Sequence, residues 1–290
     1  MIVDAHFHCW RLARGDYSWL KPDLGPIYRD VSIDDWWAEA QPLGVQGGVL
    51  VQAAPTEAET DFLLQQAAAS QAVLGVVGWV DLLADDAPER IEQLATRPKL
   101  KGLRPMLHDL PDPDWILQPA LAPALRAMAA HGLVFDALVR PVHLPRLVEL
   151  CRRHPQLQVV VDHGAKPEIA SAQWQPWAAD LQRLADQTQA VCKLSGLLTE
   201  AAPHPTRGSA DRWAAHLLDG FGAERLLWGS DWPVLELAAS YCDWWGDTAR
   251  VLGRLPESER AAVLGGNARR IYGLRASPYK EEPRSVRMPP

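Results

Sequence analysis

Two histidines one residue apart stand near the start of the chain, in the run Asp4-Ala5-His6-Phe7-His8. In an extended backbone the side chains at i and i+2 lie on the same face, so His6 and His8 can converge on one point. Two imidazoles at one point suggest a metal or a bound oxyanion. A pair of hydrogen-bonded structural histidines is the alternative, because the HxH pattern is short and common.

Two further apolar runs end in polar groups. One leads into Val161-Asp162-His163-Gly164-Ala165-Lys166-Pro167, and the other into Gly229-Ser230-Asp231-Trp232-Pro233. We predict that His163 and Asp231 join the histidine pair, where cations or a metal would keep Asp231 ionised at neutral pH. A helix N-cap role for Asp231 and a solvated surface position for Lys166 are the alternatives.

Three residues are candidates for contacts with a substrate. Arg104 ends the run Lys101-Gly102-Leu103-Arg104, and its guanidinium suits a carbonyl or carboxylate oxygen, although a structural ion pair would also explain it. Lys166 brings an ammonium close to His163. Some of the 13 tryptophans should line a pocket, and Trp232, beside Asp231, is predicted to contact the substrate. No GxSxG motif surrounds Ser195, which disfavours a serine nucleophile.

A scaffold must bring these distant groups together, and the pattern of apolar runs indicates one. Eight short runs rich in Val and Leu read as buried parallel strands, at residues 2–6, 46–52, 74–81, 100–105, 133–139, 157–163, 190–196 and 225–231. Amphipathic stretches between them predict helices at 56–70, 87–95, 119–130, 144–153, 177–187 and 212–221. We predict an α/β fold, a single (β/α)₈ TIM barrel, although a doubly wound open sheet also alternates in this way.

We see no linker that would divide the chain. The predicted barrel domain spans residues 1–274, with a final helix at 258–274, and residues 275–290 form a proline-rich C-terminal tail that we expect to be a surface strap or disordered. The side chains include 29 basic and 36 acidic groups, a net charge of −7, which argues against a nucleic-acid partner.

The sequence also bears on location. No apolar run reaches the roughly 18 residues of a membrane helix, and the first residues lack an export signal, so we expect a cytoplasmic protein. The four cysteines are widely spaced, and we expect reduced, mostly buried thiols.

Taken jointly and in order, the motifs resemble one family. The runs DAHFH, GLRP, DHGAKP and GSDWP, with Gly266-Asn267-Ala268-Arg269-Arg270-Ile271-Tyr272 near the end, look like the lactonase-type branch of the amidohydrolase superfamily, over roughly residues 1–274. The resemblance implies that His6, His8 and His163 belong to the catalytic site and that Asp231 shuttles protons. It also implies that Arg104 and Lys166 hold the substrate carbonyl.

The sequence departs from the family's two-metal pattern. Strand five ends as Leu138-Val139-Arg140 without a histidine, and no lysine terminates strand four, so a bridged two-metal centre lacks its usual ligands. At most one metal remains, with zinc suited to the predicted ligands His6, His8, His163 and Asp231. The branch also contains metal-independent lactonases, which leaves both possibilities open.

The resemblance implies hydrolysis of a small sugar-acid lactone, of the L-fuconolactone type, to the open-chain acid. In this reaction Asp231 would activate water. Hydrolysis of an anionic dicarboxylate lactone from aromatic degradation, a metal-dependent decarboxylase and a catalytically silent ligand-binding barrel are the alternatives.

Overall fold

The computed structural model describes residues 1–201 and 205–275. Eight parallel strands form one sheet in which each strand pairs with the next along the chain. They are β1 (Ile2–Phe7), β2 (Val45–Val51), β3 (Val73–Gly78), β4 (Leu100–Leu103), β5 (Val134–Ala137), β6 (Val159–Val161), β7 (Val191–Leu194) and β8 (Leu226–Trp228). The predicted strands are therefore confirmed in number and order.

Backbone hydrogen bonds join the segment that follows β8 to β1. The amide of Asp231 donates to the carbonyl of His6 at 2.8 Å, and the amide of His8 donates to the carbonyl of Trp232 at 2.8 Å. These bonds bring the last strand beside the first. The prediction of a (β/α)₈ barrel is confirmed, and the open-sheet alternative is not.

Helices connect the strands on the outside of the barrel. They are α1 (Ile33–Ala40), α2 (Glu57–Ala69), α3 (Ala87–Ala95), α4 (Ala122–Ala130), α5 (Leu144–Arg153), α6 (Trp177–Gln187), α7 (Asp211–Phe221), α8 (Tyr241–Leu252), α9 (Glu257–Ala261) and α10 (Asn267–Ile271). Helices α1 and α8 were not predicted from the sequence. Both begin with a capping box, formed by Ser32 with Asp35 and by Ser240 with Asp243, a helix-start signal that could have found them.

The predicted final helix is interrupted. A π-helical segment, Ala262–Gly266, separates α9 from α10 at the amino-terminal end of the barrel. A Cβ on Gly265 would lie 2.3 Å from the carbonyl oxygen of Met1, so only glycine permits this close packing against the start of β1. The predicted tail lies outside the described residues from position 276 onward.

Two apolar layers hold the barrel. A valine-rich cluster fills its interior, with Val3, Val49, Val77, Val160 and Val191 fully or almost fully buried, and Tyr272 and Leu274 pack against the same cluster. A larger cluster packs the outer faces of the strands against the helices. Within the described part of the chain, no helix has the length and apolar character needed to cross a membrane.

Candidate active site

The four predicted site residues meet in one buried cluster at the carboxyl ends of β1, β6 and β8. The Nε2 atoms of His6 and His8 lie 3.2 Å apart. Oδ1 of Asp231 lies 3.3 Å from Nε2 of His8 and 3.6 Å from Nε2 of His6 and of His163. Each of the four residues is at most 4% exposed.

An irregularity in β1 directs its side chains. Between Asp4 and Phe7 the strand advances three residues while β2 advances two, as in a β-bulge. Asp4 consequently contacts the outer helices, where its carboxylate accepts hydrogen bonds from the Trp36 indole and the Tyr241 hydroxyl at 2.9 Å each. His6 and His8 belong instead to the buried cluster with Asp231.

The Asp4 carboxylate also holds the loop that carries Asp231. It accepts hydrogen bonds from the amide of Ser230 at 2.8 Å and from its hydroxyl at 2.6 Å. Asp231 has φ +60° and His163 has φ +53°, a left-handed conformation that is uncommon outside glycine and is often found at functional sites. Gly196 allows the His163 turn, because a Cβ there would lie 2.6 Å from the imidazole.

The Nδ1 atom of each histidine is also engaged. In His8 it lies 2.8 Å from the carbonyl oxygen of Val51, which can only accept, so Nδ1 carries the proton and Nε2 offers a lone pair to the site. In His163 it lies 2.9 Å from the Ser195 hydroxyl. Ser195 therefore orients His163, in agreement with the absence of a nucleophilic-serine motif.

His6 has two partners for Nδ1 with opposite consequences. The Lys193 ammonium lies 3.1 Å away and can only donate, which places the imidazole proton on Nε2, facing the site. Asp162 Oδ1 lies 3.5 Å away and can only accept when ionised, which leaves Nε2 free to bind a metal. The proton position on His6 therefore decides whether its ring donates or coordinates.

A network of charged side chains lies buried beneath the cluster. The Lys193 ammonium is 2.6 Å from Asp136 Oδ2 and 2.9 Å from Asp162 Oδ1, and all three residues are 0% exposed. Arg104 is 3.3 Å from the other Asp162 oxygen and donates a second hydrogen bond to the Gln52 carbonyl. Two cations thus balance two carboxylates, which makes the burial of this network tolerable.

The surroundings set the protonation states. Burial lowers the pKa of His163 to about 4, and burial together with the Lys193 charge lowers that of His6 well below its ordinary value, so both rings are neutral at pH 7. Burial alone would raise the pKa of Asp231, but the positive charge that the neighbouring histidines carry when they are protonated outweighs burial and holds this pKa below its usual range. Asp231 is therefore ionised and can accept a proton.

A solvent-open cavity of about 160 Å³ leads to this cluster. Its lining includes His8, His163, Asp231, Arg104, Lys166, His108, Trp19 and Met106. Lys166 is paired with Glu200 at the rim and lines the cavity, so it is not simply a solvated surface lysine. Arg104 forms an ion pair with Asp162, as in the structural alternative, and it also lines the cavity.

Trp232 occupies a different place from the one predicted. It is 1% exposed, its indole donates to Glu236 at 2.8 Å, and it is not among the residues that line the cavity. Trp19 supplies the aromatic wall instead, and its indole donates to the Ala53 carbonyl at 2.7 Å. Trp19 lies in the loop after β1, which carries no motif, so the sequence offered no signal for it.

The cluster fits one divalent metal. Ligand atoms of His6, His163 and Asp231 lie within 4.8 Å of one another, and two imidazoles with one carboxylate suit zinc. His8 belongs to the wider cluster but not to this group of three. The site is accordingly compatible with a single metal, as predicted, through three of the four predicted ligands.

Sequence reasoning missed the buried pair Lys193 and Asp136. A signal was present, because Lys193 interrupts the apolar run 190–194 and Asp136 interrupts the run 133–138. Opposite charges in two predicted buried strands suggest an internal ion pair. The partners could not be identified without knowing how far each strand extends toward the rim.

The chain is similar to known proteins over most of its length. The family model described as "Amidohydrolase" matches residues 3–274. The chain is 47% identical over 279 residues to an L-fucono-1,5-lactonase of Burkholderia ambifaria, covering 94% of this chain and 95% of that protein. It is 36% identical to an L-fucono-1,5-lactonase of Burkholderia multivorans, covering 94% and 96%.

A solved structure is also similar. An amidohydrolase from Burkholderia multivorans with bound zinc superposes with a TM-score of 0.88 and 35% identity, covering 95% of this chain and 100% of that one. The family match extends over nearly the whole barrel, and the predicted resemblance is confirmed. This chain belongs to the amidohydrolase family.

Proposed function

We propose that this protein hydrolyses a small sugar-acid lactone of the L-fucono-1,5-lactone type to the open-chain acid. The observation that carries the proposal is the position of Asp231, an ionised carboxylate 3.3 Å from His8 and 3.6 Å from His6 and His163, beside a small open cavity. The 47% identity to an L-fucono-1,5-lactonase over 94% of the chain supports it.

Lactone hydrolysis requires a base for water and an acid for the departing ring oxygen. Asp231 accepts a proton as the water oxygen bonds to the lactone carbonyl carbon. The bond between that carbon and the ring oxygen then breaks, and Asp231 returns the proton to the ring oxygen. One carboxylate thus serves as base and then as acid, so no further proton donor is needed.

The negative charge on the carbonyl oxygen must be stabilised during this step. Arg104 and Lys166 line the cavity and carry N–H donors suited to such an oxyanion. A divalent metal held by His6, His163 and Asp231 would lower the pKa of a bound water and polarise the carbonyl. The zinc in the related Burkholderia multivorans structure supports a metal role here.

The charges of the cavity argue against a dicarboxylate lactone as substrate. Arg104 is paired with Asp162 and Lys166 with Glu200, so both retain N–H donors for the carbonyl oxygen but supply no unbalanced positive charge for a second carboxylate. Neutral sugar lactones avoid this competition. No observation favours decarboxylation or a silent binding barrel over hydrolysis.

The test is turnover of a lactone panel by the Asp231→Asn variant. We expect kcat to fall by at least about 100-fold, the scale of a lost general acid–base group, while the melting temperature stays near that of the native protein. The matched control is Asp219→Asn on α7, which removes an exposed carboxylate paired with Arg254 and should leave turnover unchanged. Full activity in Asp231→Asn would reject the mechanism.

A further inference from the structure

A second open cavity adjoins the catalytic one and is larger, about 370 Å³. Trp19, Met106 and Asp109 line both cavities, so the two share a wall. We call the second cavity the tryptophan cleft, which Trp19, Trp79, Trp115, Leu82, Pro105 and Asp109 help to line. The mechanism described above uses none of the residues found only in this cleft.

Three tryptophans from three different loops surround the cleft. Trp19 follows β1, Trp79 follows β3 and Trp115 follows β4, and each ring is only partly buried. The Trp19 indole is held by the Ala53 carbonyl at 2.7 Å, which fixes one ring. Among the described residues, no hydrogen-bond partner is found for the indole N–H groups of Trp79 and Trp115, and these groups are not buried from solvent.

The polar groups of the cleft are acceptors rather than cations. Asp81 and Asp109 line it, and no Lys, Arg or His in the described part of the chain does so. Asp81 accepts one hydrogen bond, from the amide of Leu83 at 3.0 Å, and Asp109 lies 3.1 Å from His108. A carboxylate has about four acceptor positions, so both retain capacity for hydroxyl donors. An anionic ligand would meet two like charges here.

We propose that the tryptophan cleft is a subsite for a second, neutral sugar ring attached to the lactone. Sugar rings present apolar C–H faces that suit the indole faces, and hydroxyls that can both donate to carboxylates and accept from indole N–H groups. An alkyl chain would bury those polar groups without partners, which is costly. The proposal extends the proposed function, on which it rests, from monosaccharide lactones to glycosylated ones.

The sizes of the two cavities agree with one sugar ring in each. Pockets for drug-sized ligands usually measure about 300 Å³ or more, so the catalytic cavity of about 160 Å³ suits a single small ring. The cleft of about 370 Å³ has room for a second ring. Because Trp19, Met106 and Asp109 line both cavities, the two lie side by side, as two linked rings require.

The experiment compares L-fucono-1,5-lactone with the same lactone carrying a hexosyl group on O2, O3 or O4. We expect at least one glycosylated lactone to have the lower KM in the native protein. Trp79→Ala and Trp115→Ala should each raise that KM by about tenfold, the effect of losing one stacked ring, with kcat and the unsubstituted lactone unchanged within about twofold. Trp37→Ala on α1, outside the cleft, is the control.

Further variants and ligands separate the outcomes. Trp115→Phe keeps a ring and should retain most of the preference if Trp115→Ala folds poorly. The inference is overturned if the alanine variants affect both substrates equally or if no glycosylated lactone has a lower KM. It is also overturned if alkyl-substituted lactones are preferred more strongly. If no lactone is hydrolysed, the proposed function fails. Binding of the hexosyl fuconic acid, followed by tryptophan fluorescence, then still tests the cleft.

Discussion

Replacing Lys193 by methionine tests how much the buried charge network beneath the candidate active site contributes to the free energy of unfolding. The ammonium lies 2.6 Å from Asp136, 2.9 Å from Asp162 and 3.1 Å from His6, and none of these groups reaches solvent. Without it, two carboxylates would share the single charge of Arg104. Removing one partner of a buried pair costs about 3 to 5 kcal/mol, a large part of the stability of an ordinary domain.

The compensating variant makes this prediction specific. Lys193→Met combined with Asp136→Asn restores the charge balance, and the asparagine can still accept a hydrogen bond from Tyr272. We expect the double variant to recover at least about half of the free energy lost by the single one, because the uncompensated charge is the main cost.

Urea unfolding at pH 7, followed by circular dichroism, measures both values. A single variant within about 1 kcal/mol of the native protein would refute the reasoning. So would a double variant that is no more stable than the single one.

Two further predictions concern pH and metal. Burial raises the pKa of Glu59 to about 7, so the folded state binds its proton more tightly than the unfolded state, and stability is lost as pH rises through 7. Glu59→Gln should remove about 3 kcal/mol of that decline from denaturation curves between about pH 4 and 8, and an unchanged pH profile would contradict the assignment. Zinc at about 100 times its Kd should raise the free energy of unfolding by about 2.7 kcal/mol in the native protein, and by far less in Asp231→Ala. Equal stabilisation of both proteins in a thermal titration would place the metal elsewhere.

Much of the buried cluster at the candidate site could be predicted because its residues stand in motifs at strand ends. His6, His8, His163 and Asp231 follow apolar runs, and the carboxyl ends of barrel strands share one rim. Trp232 stands in the same motif as Asp231, yet it does not line the cavity. Its neighbour Asp231 reaches the cavity, but the chain turns at Asp231 with φ +60°, and the indole is buried against Glu236.

The amino-acid sequence by itself determined the eight-unit barrel, the family and the residue types of the candidate site. These depend on local periodicity and on motifs that are contiguous in the chain. Tertiary structure alone decided that Lys193 pairs with Asp136 and Asp162. It also decided that the β1 bulge places Asp4 and His6 on different faces of the strand, and that three loops form the tryptophan cleft. Each of these depends on the register between strands and on loop conformation, which involve residues far apart in sequence and leave no local pattern.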